Sequence, residues 1–327
     1  MIPPAGTPSF LSQNGWAGAR VTPLAGDASF RRYFRVRDGG RCAVLMDAPP
    51  PHEDARPFIA IAEWLTDEGL SAPAIYARDL NQGLLLIEDF GDARLRETLD
   101  TAPDRESELY AAATDLLVHL HDRAPLAGLS PHGIDQWLGE VSLFTDWYCT
   151  ALGLDVDRDG WDAAWHGTLA PIDSDGLLRV TVLRDYHSEN IMLLPDRVGA
   201  RQLGLLDFQD ALVGHPAYDL VSVLEDARRD VTPAVEAEML ERYTQAVAAD
   251  ARFARAYWAL AAQRNTRILG VFTRLWQRDG KPGYKMFQPR MWGLLERNLA
   301  QPGLELLRDW FDANVPAAAR AAAWDQL

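Results

Sequence analysis

The sequence predicts an α+β fold with two lobes, a small β-rich N-lobe and a larger, mainly helical C-lobe. Two observations predict it: short apolar runs typical of strands fill the first ninety residues, and the apolar periodicity is helical from about residue 106 onward. With 327 residues, the chain exceeds the roughly 250 to 300 residues at which a single core stops growing. We therefore expect an N-lobe at residues 1–90, a C-lobe at residues 91–327, and a cleft between them.

The N-lobe is predicted to hold a small sheet and one helix. Apolar runs bounded by Gly, Pro or Asp predict strands at 20–23, 33–36, 42–46 and 84–88. A helix is predicted at 57–68, because Phe58, Ile61 and Leu65 recur at helical spacing and Gly69 follows them. Residues 1–18 carry no positive charge and no continuous apolar core, so we interpret them as a poorly structured lead-in and not as a signal peptide.

The C-lobe is predicted to be helical around a short β-like island. Helical periodicity covers 106–123, 136–152, 217–228, 232–249, 254–276 and 289–311. The island comprises predicted strands at 178–183, 191–194 and 203–208. Acidic and amide residues stand at its strand ends, where strands hold a side chain rigid and turns expose it. We expect the chemistry of this protein to reside there.

Composition and charge exclude several classes of protein. A formal charge of −15 repels a phosphate backbone, so we expect no nucleic-acid partner. No apolar run approaches the ~20 residues of a membrane span, and we expect a cytoplasmic protein. Cys42 and Cys149 lack a metal-binding pattern and are interpreted as buried free thiols.

The segment 252–297 is an exception in this acidic chain. It carries ten Lys or Arg against two acids. We interpret most of these cations as a helix surface paired with acids elsewhere, and expect one or two of them to face an anionic substrate.

Three oxygen-bearing side chains of the island suit phosphoryl transfer. The segment 183–191 (LRDYHSENI) places Asp185 and Asn190 five residues apart between apolar strands. The segment 203–210 (LGLLDFQD) ends an apolar run in Asp207, and a charge at such a place is either hydrogen-bonded to a turn or bound to a metal. Phosphoryl transfer needs a carboxylate to accept the proton of the attacking hydroxyl and oxygen ligands for Mg²⁺. We expect the three groups to face one pocket.

Together with 214–220 (GHPAYDL), these segments resemble the aminoglycoside phosphotransferase family, relatives of the protein kinases. The resemblance covers about residues 23–297 and implies the protein-kinase-like fold, with ATP and Mg²⁺ as cofactors. It implies that Asp185 is the catalytic carboxylate and that Asn190 and Asp207 bind the metal. It further implies that Asp219, at a helix start, braces the catalytic loop.

The resemblance extends to the predicted nucleotide site. The segment 24–36 (LAGDASFRRYFRV) resembles the family's phosphate-covering turn, which implies that backbone amides of Gly26 and Ser29 bind phosphate oxygens. The segment 84–92 (LLLIEDFGD) resembles the strand and hinge at which adenine meets backbone groups near Glu88 and Phe90. Read without the resemblance, the first segment is an ordinary hairpin turn.

One pair of family residues is missing. The family places a Lys on the third strand and a Glu on the following helix, but the third strand here reads AVLMD at 43–47 and Phe58 stands at the Glu position. Loss of both is chemically consistent, because either alone leaves an unpaired charge. Two outcomes stay open: Arg31 or Arg32 supports the phosphates instead, or kinase activity is lost. The intact catalytic and metal residues favour the first.

A branch of the family is also indicated. The segments 46–50 (MDAPP), 184–187 (RDYH), 207–212 (DFQDAL), 263–275 (QRNTRILGVFTRL) and 278–282 (RDGKP) resemble the anomeric kinases of bacterial cell-wall recycling, which phosphorylate the C1 hydroxyl of N-acetylmuramate and N-acetylglucosamine. We therefore expect an amino-sugar substrate, with substrate contacts from His187, Gln209, Arg264 and Arg267. Arg264 or Arg267 suits the lactyl carboxylate of N-acetylmuramate.

Two alternatives remain beside this interpretation. The first is a kinase for another small alcohol, such as an aminoglycoside, choline, homoserine or fructosamine. The second is a nucleotide-binding pseudokinase without turnover, suggested by the missing Lys and Glu. The sequence leaves the anomer and the oligomeric state open.

Overall fold

The computed structural model describes residues 1–24, 30–177 and 179–321. The predicted phosphate-binding residues Gly26 and Ser29 lie outside the described residues. The chain divides into two compact units. Unit 1 comprises Met1–Arg105 and Glu189–Ala211, and unit 2 comprises Glu106–Ser188 and Leu212–Leu327. The lobe boundary that we place after residue 90 stays a prediction.

Strands and helices alternate in the first part of the described chain, and helices dominate the second part. The strands are β1 (Arg20–Pro23), β2 (Arg32–Asp38), β3 (Arg41–Asp47), β4 (Ile75–Asp79), β5 (Leu84–Glu88), β6 (Val180–Val182), β7 (Ile191–Leu193), β8 (Leu203–Leu205) and β9 (Leu212–Gly214). The helices are α1 (Thr7–Gln13), α2 (Arg56–Asp67), α3 (Leu95–Thr101), α4 (Glu106–His121), α5 (Ile134–Leu143), α6 (Arg158–Asp173), α7 (Ala217–Leu224), α8 (Pro233–Ala246), α9 (Ala251–Gln277), α10 (Gln288–Leu299), α11 (Glu305–Asn314) and α12 (Ala317–Arg320).

Unit 1 is built on a five-stranded antiparallel sheet in the order β1-β2-β3-β5-β4. Its core contains Phe34 and Leu45 from neighbouring strands together with Phe10, Leu11 and Trp16 from the N-terminal segment. The expectation of a poorly structured lead-in over residues 1–18 is therefore wrong. Helix α1 forms there because its apolar side chains cover the sheet, although the segment is too short to show a clear period in the sequence.

The β7–β8 pair also belongs to unit 1. The amide of Leu205 donates to the carbonyl of Ser71 at 2.8 Å, and the amide of Leu193 donates to the carbonyl of Ala93 at 2.7 Å. The Ser71 hydroxyl donates to the carbonyl of Arg201 at 2.8 Å. These bonds anchor to unit 1 the two strands from which the predicted metal ligands extend.

Unit 2 is organised around the long helix α9, which is buried along most of its length. At Gly270 an added Cβ would lie 2.3 Å from the carbonyl carbon of Leu143, so α9 requires glycine where it crosses the end of α5. There α5 continues into the π-helical turn Phe144–Cys149. The helix predicted over 136–152 thus exists, with a change of helical type in its middle.

Several sequence predictions need correction. The single helix expected over 289–311 is two helices, α10 and α11, because Pro302 and Gly303 interrupt it and Gly303 has a φ of 89°. Helix α6 and strand β4 were not predicted. Cys149 is buried as expected, but Cys42 is exposed and donates to the carboxylate of Asp89 at 2.8 Å. Among the described residues, no helix is both long and apolar enough to cross a membrane.

Candidate active site

Two predicted metal ligands flank the β7–β8 pair of unit 1. Because β7 and β8 are antiparallel, with Ile191 opposite Leu205, the residue before β7 and the residues after β8 lie at the same end of the pair. Asn190 precedes β7, and its carbonyl accepts a hydrogen bond from the amide of Leu206 at 2.9 Å. Asp207 follows Leu206. A carboxamide and a carboxylate therefore extend from one end of two short, anchored strands.

The Asp207 backbone and side chain are held in a specific conformation. Its φ of 56° lies in the left-handed region, which is uncommon for residues with a Cβ, although Asp adopts it more readily than most. Its side chain is 46% exposed, and its Oδ1 accepts a hydrogen bond from Gln209 Nε2 at 2.9 Å. Gln209 thus orients this carboxylate, and its predicted substrate contact stays a prediction.

The donor set at this end of unit 1 fits Mg²⁺. Magnesium prefers oxygen ligands and takes one or two from the protein, completing its shell with water and substrate phosphates. Asn190 and Asp207 provide an amide oxygen and a carboxylate at one end of β7–β8. These are the residues that would hold the ion.

The two arginines that we considered as phosphate-binding cations have different surroundings. Arg32 pairs with the buried carboxylate of Asp47, opposite it in the sheet, with Nε to Oδ2 at 2.7 Å. Arg31 directly precedes β2, and its Nη2 lies 3.9 Å from Asp207 Oδ1. Arg31 thus lies beside a predicted metal ligand, and this position favours the role of a phosphate-binding cation.

Glu88 and Phe90 lie where β5 ends, and their side chains have partners in unit 1. Glu88 forms an ion pair with Arg197, whose guanidinium carbon is 5.3 Å from the centroid of the Phe90 ring. The Phe90 ring covers Gly204, where an added Cβ would approach Phe90 Cδ2 to 2.6 Å. Because both side chains are engaged within unit 1, adenine binding by this segment would involve its backbone, as the resemblance implies.

The segment after β5 is fixed by Arg35. Its guanidinium donates to Asp89, to the carbonyl of Gly91 and to Asp92, each at 3.0 Å. Burial alone would raise the pKa of Asp89, but hydrogen bonds from Arg35 and Cys42 hold it below its usual value. The segment is thus rigid, with an ionised carboxylate at its centre.

In unit 2, Asp219 braces the loop that contains the predicted catalytic residue. Its buried carboxylate accepts hydrogen bonds from the amides of Leu183 and Arg184, at 2.6 and 2.9 Å. Arg184, directly before Asp185, has a φ of 69° and its carbonyl accepts a bond from Ser222 Oγ at 3.2 Å. Burial raises the pKa of Asp219 to about 7, against the opposing effect of the two amides. The bracing role implied by the resemblance is confirmed.

The far end of this loop is held by Asp226. Its carboxylate accepts bonds from the amide and hydroxyl of Ser188, at 3.0 and 2.5 Å. His187 is 6% exposed and its Nε2 lies 3.3 Å from Arg228 Nη1. Burial lowers the pKa of His187, so the ring is neutral near pH 7. His187 thus helps to order the loop, and its predicted sugar contact stays a prediction.

Glu140 is a central residue of unit 2 that the sequence analysis missed. Its carboxylate accepts hydrogen bonds from Arg184 at 2.6 Å and from Gln263 at 3.0 Å, and it lies 3.5 Å from His132 and 3.7 Å from Arg267. Burial would raise its pKa, but His132 and the two arginines lower it far below the usual value. A signal existed in the sequence, because an acid on the apolar face of α5 needs partners.

Arg264 and Arg267 are the cations of α9 that interact electrostatically with Asp185. Arg264 is 3% exposed and donates to the carbonyl of Glu225 at 3.3 Å. Burial lowers its pKa, whereas Tyr218, Glu140 and Asp185 raise that of Arg267 above its usual value despite burial. Two cations of α9 and the buried acid Asp219 therefore act electrostatically on the predicted catalytic carboxylate.

Comparison with known proteins identifies the family of this chain. The model of the family described as "APH: Phosphotransferase enzyme family" matches residues 20–260. A Caulobacter vibrioides protein named N-acetylmuramate/N-acetylglucosamine kinase is 38% identical, with 95% of this chain and 96% of the relative aligned. A Pseudomonas aeruginosa protein of the same name is 36% identical, with 96% of this chain and 95% of the relative aligned.

Solved structures support the fold. A choline/ethanolamine kinase family protein from Mesorhizobium loti superposes with a TM-score of 0.64 at 15% identity, covering 93% of this chain and 97% of its own. The ADP-bound aminoglycoside phosphotransferase APH(2'')-Ib gives a TM-score of 0.58 at 15% identity, covering 88% of this chain and 96% of its own. The predicted protein-kinase-like α+β fold is confirmed.

Proposed function

This chain belongs to the APH phosphotransferase enzyme family, and we propose that it uses ATP to phosphorylate the anomeric C1 hydroxyl of N-acetylmuramate and N-acetylglucosamine in peptidoglycan recycling. The observation that carries the proposal is its similarity, at 38% and 36% identity over almost the whole chain, to relatives named for these two sugars. We expect the reaction to occur in the cytoplasm, where ATP is supplied.

Asp185 is the proposed base. It orients the C1 hydroxyl and accepts its proton while the oxygen attacks the γ-phosphorus. The new bond joins O1 to the γ-phosphorus, the bond from that phosphorus to the β–γ bridging oxygen breaks, and ADP leaves. The hydrogen bonds that Asp219 accepts next to Asp185 support this role, because they hold the backbone from which the carboxylate extends.

Asn190 and Asp207 are the proposed Mg²⁺ ligands. Bound Mg²⁺ neutralises negative charge on the transferred phosphoryl group and the leaving diphosphate. The position of both residues at one end of β7–β8 supports the assignment, as does the hydrogen bond by which Gln209 orients the Asp207 carboxylate.

The charge around Asp185 supports a neutral or anionic acceptor. Arg264 and Arg267 both interact electrostatically with this carboxylate. A polycationic aminoglycoside would be repelled by these two guanidinium groups, whereas the lactyl carboxylate of N-acetylmuramate would be attracted. The cations of α9 thus favour the amino-sugar kinase over an aminoglycoside kinase.

The proposal is tested by incubating purified protein with MgATP and, separately, N-acetylmuramate, N-acetylglucosamine, an aminoglycoside, choline, homoserine and a fructosamine. Phosphorus NMR with coupling to the anomeric proton identifies a C1 phosphate. We expect transfer to both N-acetylated sugars. Transfer to another alcohol alone would overturn the acceptor assignment, and MgATP binding without transfer to any acceptor would favour the pseudokinase alternative.

A further inference from the structure

The face of α2 that packs against Phe208, next to the predicted metal ligand Asp207, is apolar. Phe58 stands where the family places its Glu, and its ring stacks on that of Phe208 with centroids 5.0 Å apart. Phe208 directly follows Asp207 and is 1% exposed. An acid at position 58 would therefore be buried against an aromatic ring, which is unfavourable. This face of α2 therefore provides no acid for an ion pair at position 58.

We propose that Arg31 and Glu53 form the ion pair that replaces the missing Lys and Glu, with Arg31 contacting the ATP phosphates and Glu53 acting as its positioning residue. This inference rests on the proposed kinase function. It moves the cation from β3 to the residue directly before β2 and moves its acid from inside α2 to the turn that precedes this helix.

The geometry around Arg31 carries the proposal. Its Nε lies 3.6 Å from Glu53 Oε2 while an Nη2 atom lies 3.9 Å from Asp207 Oδ1. The side chains of Arg31 and Glu53 are 11% and 19% exposed, so solvent screens their attraction only partly. Tyr33 interacts electrostatically with all three groups, and burial raises its pKa to about 12, which leaves it neutral. Arg31 is thus held between an acid and a predicted metal ligand.

A second contact joins the same two segments. The rings of Phe30 and His52 stack at 5.3 Å with an interplanar angle of 23°. Phe30 and His52 are the direct neighbours of Arg31 and Glu53 along the chain. The aromatic stack and the ion pair therefore connect the same two chain segments. The contact is independent of charge and aligns the two segments even where salt screens the ion pair.

Glu53 lies in the turn between β3 and α2, and the MDAPP segment at 46–50 forms the end of β3 and the first part of this turn. After β3 the amide of Ala48 donates to the carbonyl of Gly83 at 2.8 Å, which ties the turn to the sheet. The carbonyl of Pro49 then accepts bonds from the amides of His52 and Glu53, at 3.0 and 3.1 Å. The prolines and these bonds restrict the turn, and α2 begins directly after it at Arg56. The MDAPP segment would thus hold Glu53 in place beside Arg31.

Guanidinium chemistry suits this arrangement. Arg offers five N–H donors in a planar fork, so one edge can stay with a carboxylate while the other binds phosphate oxygens. A Lys ammonium is a point charge and does not offer two separate edges. Arg32 is less suited to the task because its Nε and Nη2 both lie close to Oδ2 of the buried Asp47, at 2.7 and 2.5 Å, whereas the contacts of Arg31 with Glu53 and Asp207 are 3.6 and 3.9 Å.

The test is a double-mutant cycle on MgATP binding and on steady-state kinetics with the full-length protein. Arg31→Ala is expected to weaken MgATP binding about 30-fold, and Glu53→Gln about 5- to 10-fold, because a charge-assisted contact and its positioning partner are lost. In the Arg31→Ala background Glu53→Gln should add less than about twofold, because the two residues act as a unit. The KM for the sugar should stay unchanged, and Arg31→Lys should restore binding in part.

Matched controls separate this role from general stability. Glu63→Gln and Arg78→Ala remove an exposed ion pair of α2 and β4, 3.4 Å long, in the same unit, and should leave MgATP binding unchanged. The melting temperature of each variant shows whether it folds. Glu53→Gln within about twofold of the parent protein, or effects that multiply in the double variant, would overturn the proposal.

The measurement also separates this proposal from the proposed acceptor. MgATP binding is measured without sugar, so the cycle can be completed even where neither N-acetylated sugar is phosphorylated. Lack of sugar phosphorylation would contradict the proposed acceptor. The double-mutant cycle on MgATP binding would still test the role of Arg31 and Glu53. Absence of MgATP binding by the parent protein would overturn both.

Discussion

The carboxylate of Glu140 on α5 accepts a 2.6 Å hydrogen bond from the guanidinium of Arg184, the residue before the proposed catalytic base. Both side chains are largely buried, at 11% and 17% exposure. Arg267, on α9, approaches the same carboxylate oxygen at 3.7 Å. One acid therefore connects the catalytic loop of unit 2 to its most cationic helix.

Removing this charge should destabilise the protein. Glu140→Gln leaves two buried guanidinium groups without their counter-charge, and we expect the free energy of unfolding to fall by about 3 kcal/mol. Urea denaturation at pH 7 measures it. Glu63→Gln, at an exposed position of α2, is the matched control and should change stability by less than about 0.5 kcal/mol. Equal stability of the two variants would contradict the proposed importance of Glu140.

Asp185→Asn should separate chemistry from nucleotide binding. The amide keeps the shape of the side chain but is a poor proton acceptor, so we expect kcat to fall about 10³-fold. MgATP affinity, measured by calorimetry, should be nearly unchanged. A variant that retains more than about a tenth of the parent kcat would contradict the assignment of Asp185 as the base.

Asp207→Ala should act on the metal instead. Loss of one of the two proposed protein ligands should raise the Mg²⁺ concentration for half-maximal activity about tenfold or more. The KM for the sugar should not change. Asp210→Asn, three residues further along and exposed, serves as the control. An unchanged Mg²⁺ requirement in Asp207→Ala would remove this residue from the metal site.

The cations of α9 should decide between the two sugars. If Arg267 pairs with the lactyl carboxylate, Arg267→Gln should lower kcat/KM for N-acetylmuramate about tenfold more than for N-acetylglucosamine. The same measurement on Arg264→Gln tests the second candidate. Arg255→Gln, on an exposed face of α9, should leave the ratio unchanged. An unchanged ratio in both candidate variants would show that the carboxylate is bound elsewhere.

His121 should make the protein less stable in mild acid. Burial lowers its pKa from 6.5 to about 3, and its Nδ1 lies 2.6 Å from the Tyr243 hydroxyl. The unfolded chain therefore takes up a proton at a pH where the folded protein does not. The free energy of unfolding should fall as the pH drops from 6.5 towards about 3, and His121 should contribute about 1.4 kcal/mol per pH unit to this fall.

The matched variant isolates that contribution. His121→Gln keeps a polar side chain but does not titrate, so its stability should depend less steeply on pH between about pH 5.5 and 4.5. Urea denaturation at both pH values gives the two slopes. Identical slopes in the variant and the parent protein would contradict the assignment.

The local elements were largely predictable. Strands β1 and β5 have the predicted limits, and α2 begins and ends within one residue of its prediction, because their apolar runs are bounded by Gly or Pro. Strand β4 (Ile75–Asp79) was missed because its side chains alternate between intermediate and exposed positions, so it lacks an apolar run. Helix α6 was missed because Gly160, Gly167 and Pro171 interrupt its pattern.

Local sequence patterns were enough to place polar residues at the strand ends, namely Asp185, Asn190 and Asp207, and to place Asp219 at the start of a helix. Local periodicity and turn residues decide such positions. The partners of the charged side chains depend on how the chain packs: Arg31 pairs with Glu53, and Arg184 pairs with Glu140, which lies 44 residues before it. The reason is physical: an ion pair depends on distance and burial, which non-adjacent segments acquire only when they pack.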